Sequence, residues 1–75
     1  MNGLYYLENS FMIVGPHGST GYYLVTNFIF GPGGFRTGYW VNETTSTIVN
    51  PDGSDSGFWI ESGVIWGTGQ APWLS

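Results

Sequence analysis

Cysteine and lysine are both absent from this 75-residue chain, and Arg36 is its one strongly basic side chain, beside a single histidine, His17. Without cysteine there is no disulfide framework, no thiol nucleophile and no thiolate metal ligand. Without a basic patch the chain cannot displace counterions from phosphates, which excludes nucleic-acid partners. Docking on an anionic membrane surface is excluded on the same ground. Charged residues make up 8% of the chain, against about 25% in typical globular proteins. Five acids, Glu8, Glu43, Asp52, Asp55 and Glu61, set the formal charge of −4 but are too scattered to imitate a nucleic acid. No run approaches the ~20 apolar residues of a membrane span. Met1-Asn2-Gly3-Leu4 lacks the basic start and apolar segment of a secretory leader. Together with the missing cysteine, this makes a cytoplasmic location the expectation.

Aromatic residues, at 19%, and 13 glycines dominate instead, and they repeat. Tyr5, Tyr22, Tyr39 and Phe58 each open a copy of one pattern, at intervals of 17, 17 and 19 residues. Fixed-period self-similarity marks a repeat architecture. Each copy starts with two aromatics and an aliphatic: Tyr5-Tyr6-Leu7, Tyr22-Tyr23-Leu24, Tyr39-Trp40-Val41 and Phe58-Trp59-Ile60. A second apolar run follows in each: Phe11-Met12-Ile13, Phe28-Ile29-Phe30, Thr47-Ile48-Val49 and Val64-Ile65-Trp66. Turns rich in glycine and proline close the first three copies, and Gly67-Thr68-Gly69 the fourth. A Thr-Gly or Ser-Gly pair precedes copies two to four, and the third carries two extra residues within Asn42–Ser46.

Short β-branched and aromatic runs between Gly, Pro, Asn and Ser are hairpin signals. Asn9-Ser10, Thr26-Asn27 and Ser62-Gly63 stand where a two-residue turn is needed, and Asn and Gly tolerate the positive φ of primed turns. A turn at Thr26-Asn27 sets Val25 opposite Phe28, Leu24 opposite Ile29 and Tyr23 opposite Phe30. Opposed residues share a face. One face then carries Tyr5, Leu7, Met12; Tyr22, Leu24, Ile29; Tyr39, Val41, Ile48; and Phe58, Ile60, Ile65. It is apolar throughout and is assigned to the core. The other face mixes aromatics at its base with Glu8, Asn42 and Glu61 near the tips. This alternation suits an antiparallel sheet and not a helix.

The expected fold is all-β, with four sequential β-hairpin repeats around a pseudo-fourfold axis and no helix. Hairpins are expected at residues 5–14, 22–30, 39–49 and 58–66 of a single domain, 1–75, with a capping tail at 67–75. Gly15–Gly21 and Gly31–Gly38 read as links, and Asn50–Gly57 as the most mobile loop. A lone hairpin is marginal in water, and inner-face burial alone does not offset the entropy of ordering the chain. The outer aromatics are therefore expected to be buried between hairpins or against another copy. The four copies of aromatic-aromatic-aliphatic, turn, apolar run and Gly-Pro-x-Gly resemble the small bacterial proteins described as four-fold β-flowers, in which each hairpin forms a petal. The resemblance covers residues 3–74 and implies a fold without an assigned activity. Copy three departs from it at Asn50 and copy four at Thr68. Choline- and glucan-binding repeats also use aromatic hairpins, but with a longer period and more lysine.

No catalytic constellation emerges. His17 follows Pro16 in a turn and has no convergent partners for a metal or acid–base role. Glu8 and Glu61 hold equivalent tip positions in different hairpins, which suits exposed polar tips better than a glycosidase pair. No Gly-x-Ser-x-Gly elbow is present, and Gly31-Pro32-Gly33-Gly34 lacks the lysine and helix of a phosphate loop. A non-enzymatic chain without cofactor or metal is expected. The candidate binding residues are the outer aromatics Tyr6, Tyr23, Phe30, Trp40, Trp59 and Trp66. Two partners suit them: another protein or a second copy of this chain, or a carbohydrate whose rings stack on the flat faces. The changing tip residue (Glu8, Val25, Asn42, Glu61) counts against four equal sugar sites.

Overall fold

A computed structural model describes residues 5–74. The lead-in 1–4 and the last tail residue, Ser75, lie outside the described residues. Eight strands follow the chain: β1 (Tyr5–Glu8), β2 (Met12–Gly15), β3 (Gly18–Val25), β4 (Phe28–Phe30), β5 (Arg36–Asn42), β6 (Thr47–Val49), β7 (Asp55–Glu61) and β8 (Val64–Trp66). Each pairs antiparallel with its sequence neighbour, and β8 returns to β1 through Tyr5–Ile65 and Tyr6–Val64, so the sheet closes into a barrel. Closure leaves no edge strand among the described residues. The one helical element among the described residues is a 3-10 turn at Pro72–Leu74.

The primed turns form as their residues dictate. Thr26 and Asn27 have φ of 48° and 68°, Ser62 and Gly63 of 54° and 76°. The second hairpin has the expected register, Tyr23–Phe30, Leu24–Ile29 and Val25–Phe28. In the third, the extra residues lengthen the tip between Asn42 and its partner Thr47.

The first hairpin corrects the sequence reading. Asn9 and Ser10 take positive φ, and the Phe11 N–H donates to Glu8 O, but the strands then pair Glu8 with Met12 and Leu7 with Ile13. Phe11 is thus an extra residue, and the slip turns every later side chain to the opposite face. Ile13 is the core residue, fully buried, while Met12 is only half-buried and lines the outer surface with Phe11.

The links are also shorter than expected. β3, β5 and β7 begin well before their aromatic pairs, and a register shift interrupts each pairing with the preceding strand. The Thr-Gly and Ser-Gly pairs explain the shift. The Thr20, Thr37 and Ser56 hydroxyls donate to the carbonyls of Ile13, Ile29 and Ile48. Each also accepts from the N–H two residues on, that of Tyr22, Tyr39 or Phe58. The glycine between, at Gly21, Gly38 or Gly57, has φ of 83–91°, a conformation that side chains rarely tolerate. A short hydroxyl side chain beside a glycine therefore bridges a bulge in the ladder. The Asn50–Gly57 stretch is likewise built: Asn50 N–H donates to Ser54 O, Gly53 N–H to Asn50 O, and Asp55 already belongs to β7.

A second bond recurs all the way round. Leu24 N–H donates to Phe11 O, Val41 to Asn27, Ile60 to Ser46 and Leu7 to Gly63, at 2.7–2.9 Å. Each hairpin is thereby tied to the turn of the one before it, and Leu7 closes the circuit.

Side chains fill the interior, as in other small barrels. Ile13, Ile29, Ile48 and Ile65, one from each hairpin, are 0–1% exposed. Leu7, Leu24, Val41 and Ile60 belong to or pack on the same cluster. Trp73 from the tail is 2% exposed and lies against Tyr5, Tyr39 and Phe58, with ring centroids 5.5–6.3 Å away. Its indole N–H has no hydrogen-bond partner among the described residues; the neighbouring rings offer only weak acceptors.

Candidate functional site: the aromatic outer face

With the barrel filled, the chemistry on offer is outside. The six sequence-predicted aromatics all stand on strands β1, β3, β4, β5, β7 and β8, but the structure treats them unequally. Tyr6 and Trp59 are exposed, whereas Tyr23, Phe30, Trp40 and Trp66 are half-buried against neighbouring strands.

They fall into two groups on opposite flanks. On β3–β5, Tyr23 and Phe30 are cross-strand partners and stack at 5.8 Å with rings 15° apart. Phe28 stands opposite Trp40, and the Arg36 guanidinium lies over the Phe28 ring at 4.9 Å and near Phe30 at 5.9 Å. Guanidinium over a ring face is a favourable cation–π arrangement. Tyr23 also borders a cleft of about 230 Å³ between the first two hairpins, shared with Phe11, Met12, Ser19, Gly21 and Tyr22. Among the described residues, no carboxylate or carboxamide lines this cleft.

On the other flank, Trp59 pairs with Trp66, and Tyr6 with Val14 and Val64. The Trp66 N–H is buried without a hydrogen-bond partner among the described residues. Glu61 follows Trp59 by two residues on β7, and Glu8 follows Tyr6 by two on β1; all four are exposed. Residues two apart on a strand share a face, so each ring stands beside a carboxylate.

The remaining acids are engaged. Glu43 accepts from the Asn27 amide at 2.5 Å, and Asp55 from the Gly57 N–H at 2.8 Å. Asp52 accepts from the Ser54 hydroxyl and N–H, and these hydrogen bonds hold its carboxyl below the ordinary carboxylate range. His17 sits exposed at the mouth of a second cleft of about 440 Å³, with Tyr5, Gln70 and Leu74. Among the described residues, no group of three or more His, Cys, Asp or Glu is arranged to hold a metal. No described helix is long and apolar enough to cross a membrane.

The six candidates left out Phe11 and Phe28, which are also exposed, and sequence reasoning missed Arg36 and Phe35 as surface features. Arg36 was placed in a link, although it begins β5 opposite Phe30; its being the chain's lone cation was the available signal. Phe35 is exposed and packs edge-on against Tyr22. No protein-family model, curated protein or solved structure matches the chain.

Proposed function

We propose that this chain is a small non-catalytic β-barrel module that works by association, through aromatic outer flanks, with a second copy of itself or another protein. The carrying observation is the Arg36–Phe28–Phe30–Tyr23 platform, a lone cation held on ring faces beside an apolar cleft. Arg and aromatic residues dominate binding energy at interfaces, where Lys and Glu are depleted. The closed barrel leaves no strand edge to extend, so side-chain faces would make the contact. The four hairpins are read as quasi-equivalent petals of the β-flower kind about a pseudo-fourfold axis. The recurring hydroxyl bridges and the circuit of tip bonds support that reading.

Carbohydrate binding is the second reading. Trp59 beside Glu61, and Tyr6 beside Glu8, supply a ring face with an adjacent acceptor. The platform flank favours it less, because among the described residues the side chains of its cleft offer sugar hydroxyls only Ser19 and tyrosine hydroxyls. Size-exclusion chromatography with light scattering, beside a glycan array, separates the two. An oligomer without glycan hits supports association. A strict monomer that binds one sugar class replaces it with the lectin reading.

A further inference from the structure

Resting on the self-association reading, we infer that a second copy docks head to tail on the Arg36 platform, presenting the opposite flank of its own barrel: Glu61 with Trp59, and Glu8 with Tyr6. The Arg36 side chain makes no ion pair or hydrogen bond among the described residues, and only the face of its guanidinium is engaged, by Phe28 and Phe30. The edge donors of a guanidinium form a fork matched to a carboxylate. Within the chain, Glu43, Asp52 and Asp55 already accept hydrogen bonds from Asn27, Ser54 and Gly57. The side-chain carboxylates of Glu8 and Glu61 are the two without a partner among the described residues, and both residues are exposed.

The topology keeps these groups apart within one molecule. In a ring of eight strands taken in sequence order, β4 stands across from β8, β3 from β7 and β5 from β1. The platform centres on β4, and the acidic flank on β8. A chain therefore cannot bring its own Glu61 to its own Arg36, whereas a neighbour can. Charge favours this arrangement over other contacts. Each copy carries a formal −4 with one arginine, so most mutual orientations set acid against acid. Arg36 supplies the single cationic patch and fixes the register. The exposed Trp59 and Tyr6 rings would meet the Tyr23–Phe30 stack and Phe28. Such a contact uses different surfaces on its two sides, so it extends into a ring or a filament rather than stopping at a dimer.

Sedimentation velocity on the intact chain tests this with two charge reversals, Arg36→Glu and the pair Glu8→Arg with Glu61→Arg. All three positions are exposed, and circular dichroism confirms folding of each variant. The wild-type mass is expected to climb above 8.2 kDa with concentration and to fall back at high salt. Each variant alone is expected to lose association by about tenfold or more. An equimolar mixture of the two is expected to recover it, because each variant then meets the opposite charge on both flanks. A wild-type chain that stays monomeric at every concentration overturns both this contact and the self-association reading. A wild-type oligomer that either variant retains, or that the mixture fails to restore, overturns this contact alone.

Discussion

Replacing Trp73 with alanine is the most revealing test of how the barrel is held together. The side chain is 2% exposed and touches Tyr5, Tyr39 and Phe58. Truncating a buried Trp costs about 3–5 kcal/mol in lost transfer energy and cavity. The substitution also removes an indole N–H that is buried without a partner, a group that costs about 1–3 kcal/mol to hold in that state. Taken at their midpoints, the two offset to a net loss of about 2 kcal/mol. A domain of this length has roughly 4–11 kcal/mol in total, so Trp73→Ala should lose between about a fifth and a half of it. Urea unfolding followed by far-UV circular dichroism gives the value, and the midpoint should drop with little change in slope. Trp73→Phe keeps a ring and removes the N–H, so it should cost at least about 1 kcal/mol less than alanine. A loss below about 1 kcal/mol for Trp73→Ala would refute the reasoning, because a dispensable tail is not part of the core.

Gly67→Ala and Gly31→Ala should differ although both would drive a new methyl into an aromatic ring. At Gly67 the ring is Phe58, 4% exposed and in the core, while at Gly31 it is Phe35, 53% exposed and free to swing. Thermal melts should show about 1–3 kcal/mol of overpacking at Gly67 and less at Gly31; equal losses would contradict this. Thr37→Val keeps the shape but removes the hydroxyl that bridges Ile29 O and the Tyr39 N–H. It should cost about 1–2 kcal/mol in chemical unfolding, and a neutral result would deny the bridge its role in the bulge. Because the Asp52 carboxyl is depressed in the fold by Ser54, its contribution is present above the unfolded pKa and is lost as pH falls through the folded one. Ser54→Ala should raise the Asp52 titration midpoint followed by carbon NMR of its carboxyl group, and an unmoved midpoint would contradict the assignment.

The all-β hairpin fold was legible because Tyr22–Phe30 joins two β-forming apolar runs across turn residues that accept positive φ, and its register follows from Thr26-Asn27 alone. The first hairpin was not, for a local reason. Phe11-Met12-Ile13-Val14 is apolar at every position, so nothing in the pattern penalises a slip of one residue, and only packing chooses Ile13 over Met12. The bulges were visible as Thr-Gly and Ser-Gly pairs but not as devices, since their meaning depends on a carbonyl in the preceding strand. On the surface, the aromatic positions were readable from the period. Their division into a cationic and an acidic flank was not, because it arises from barrel closure, which sets β4 across from β8.

The most direct measurement is a dilution series by proton–nitrogen NMR on the intact chain. Association through the two flanks predicts that the Trp59 indole and Arg36 guanidinium signals move together with concentration, while that of the buried Trp73 stays fixed. Signals from Trp59 and Arg36 that hold constant across the series would contradict the account.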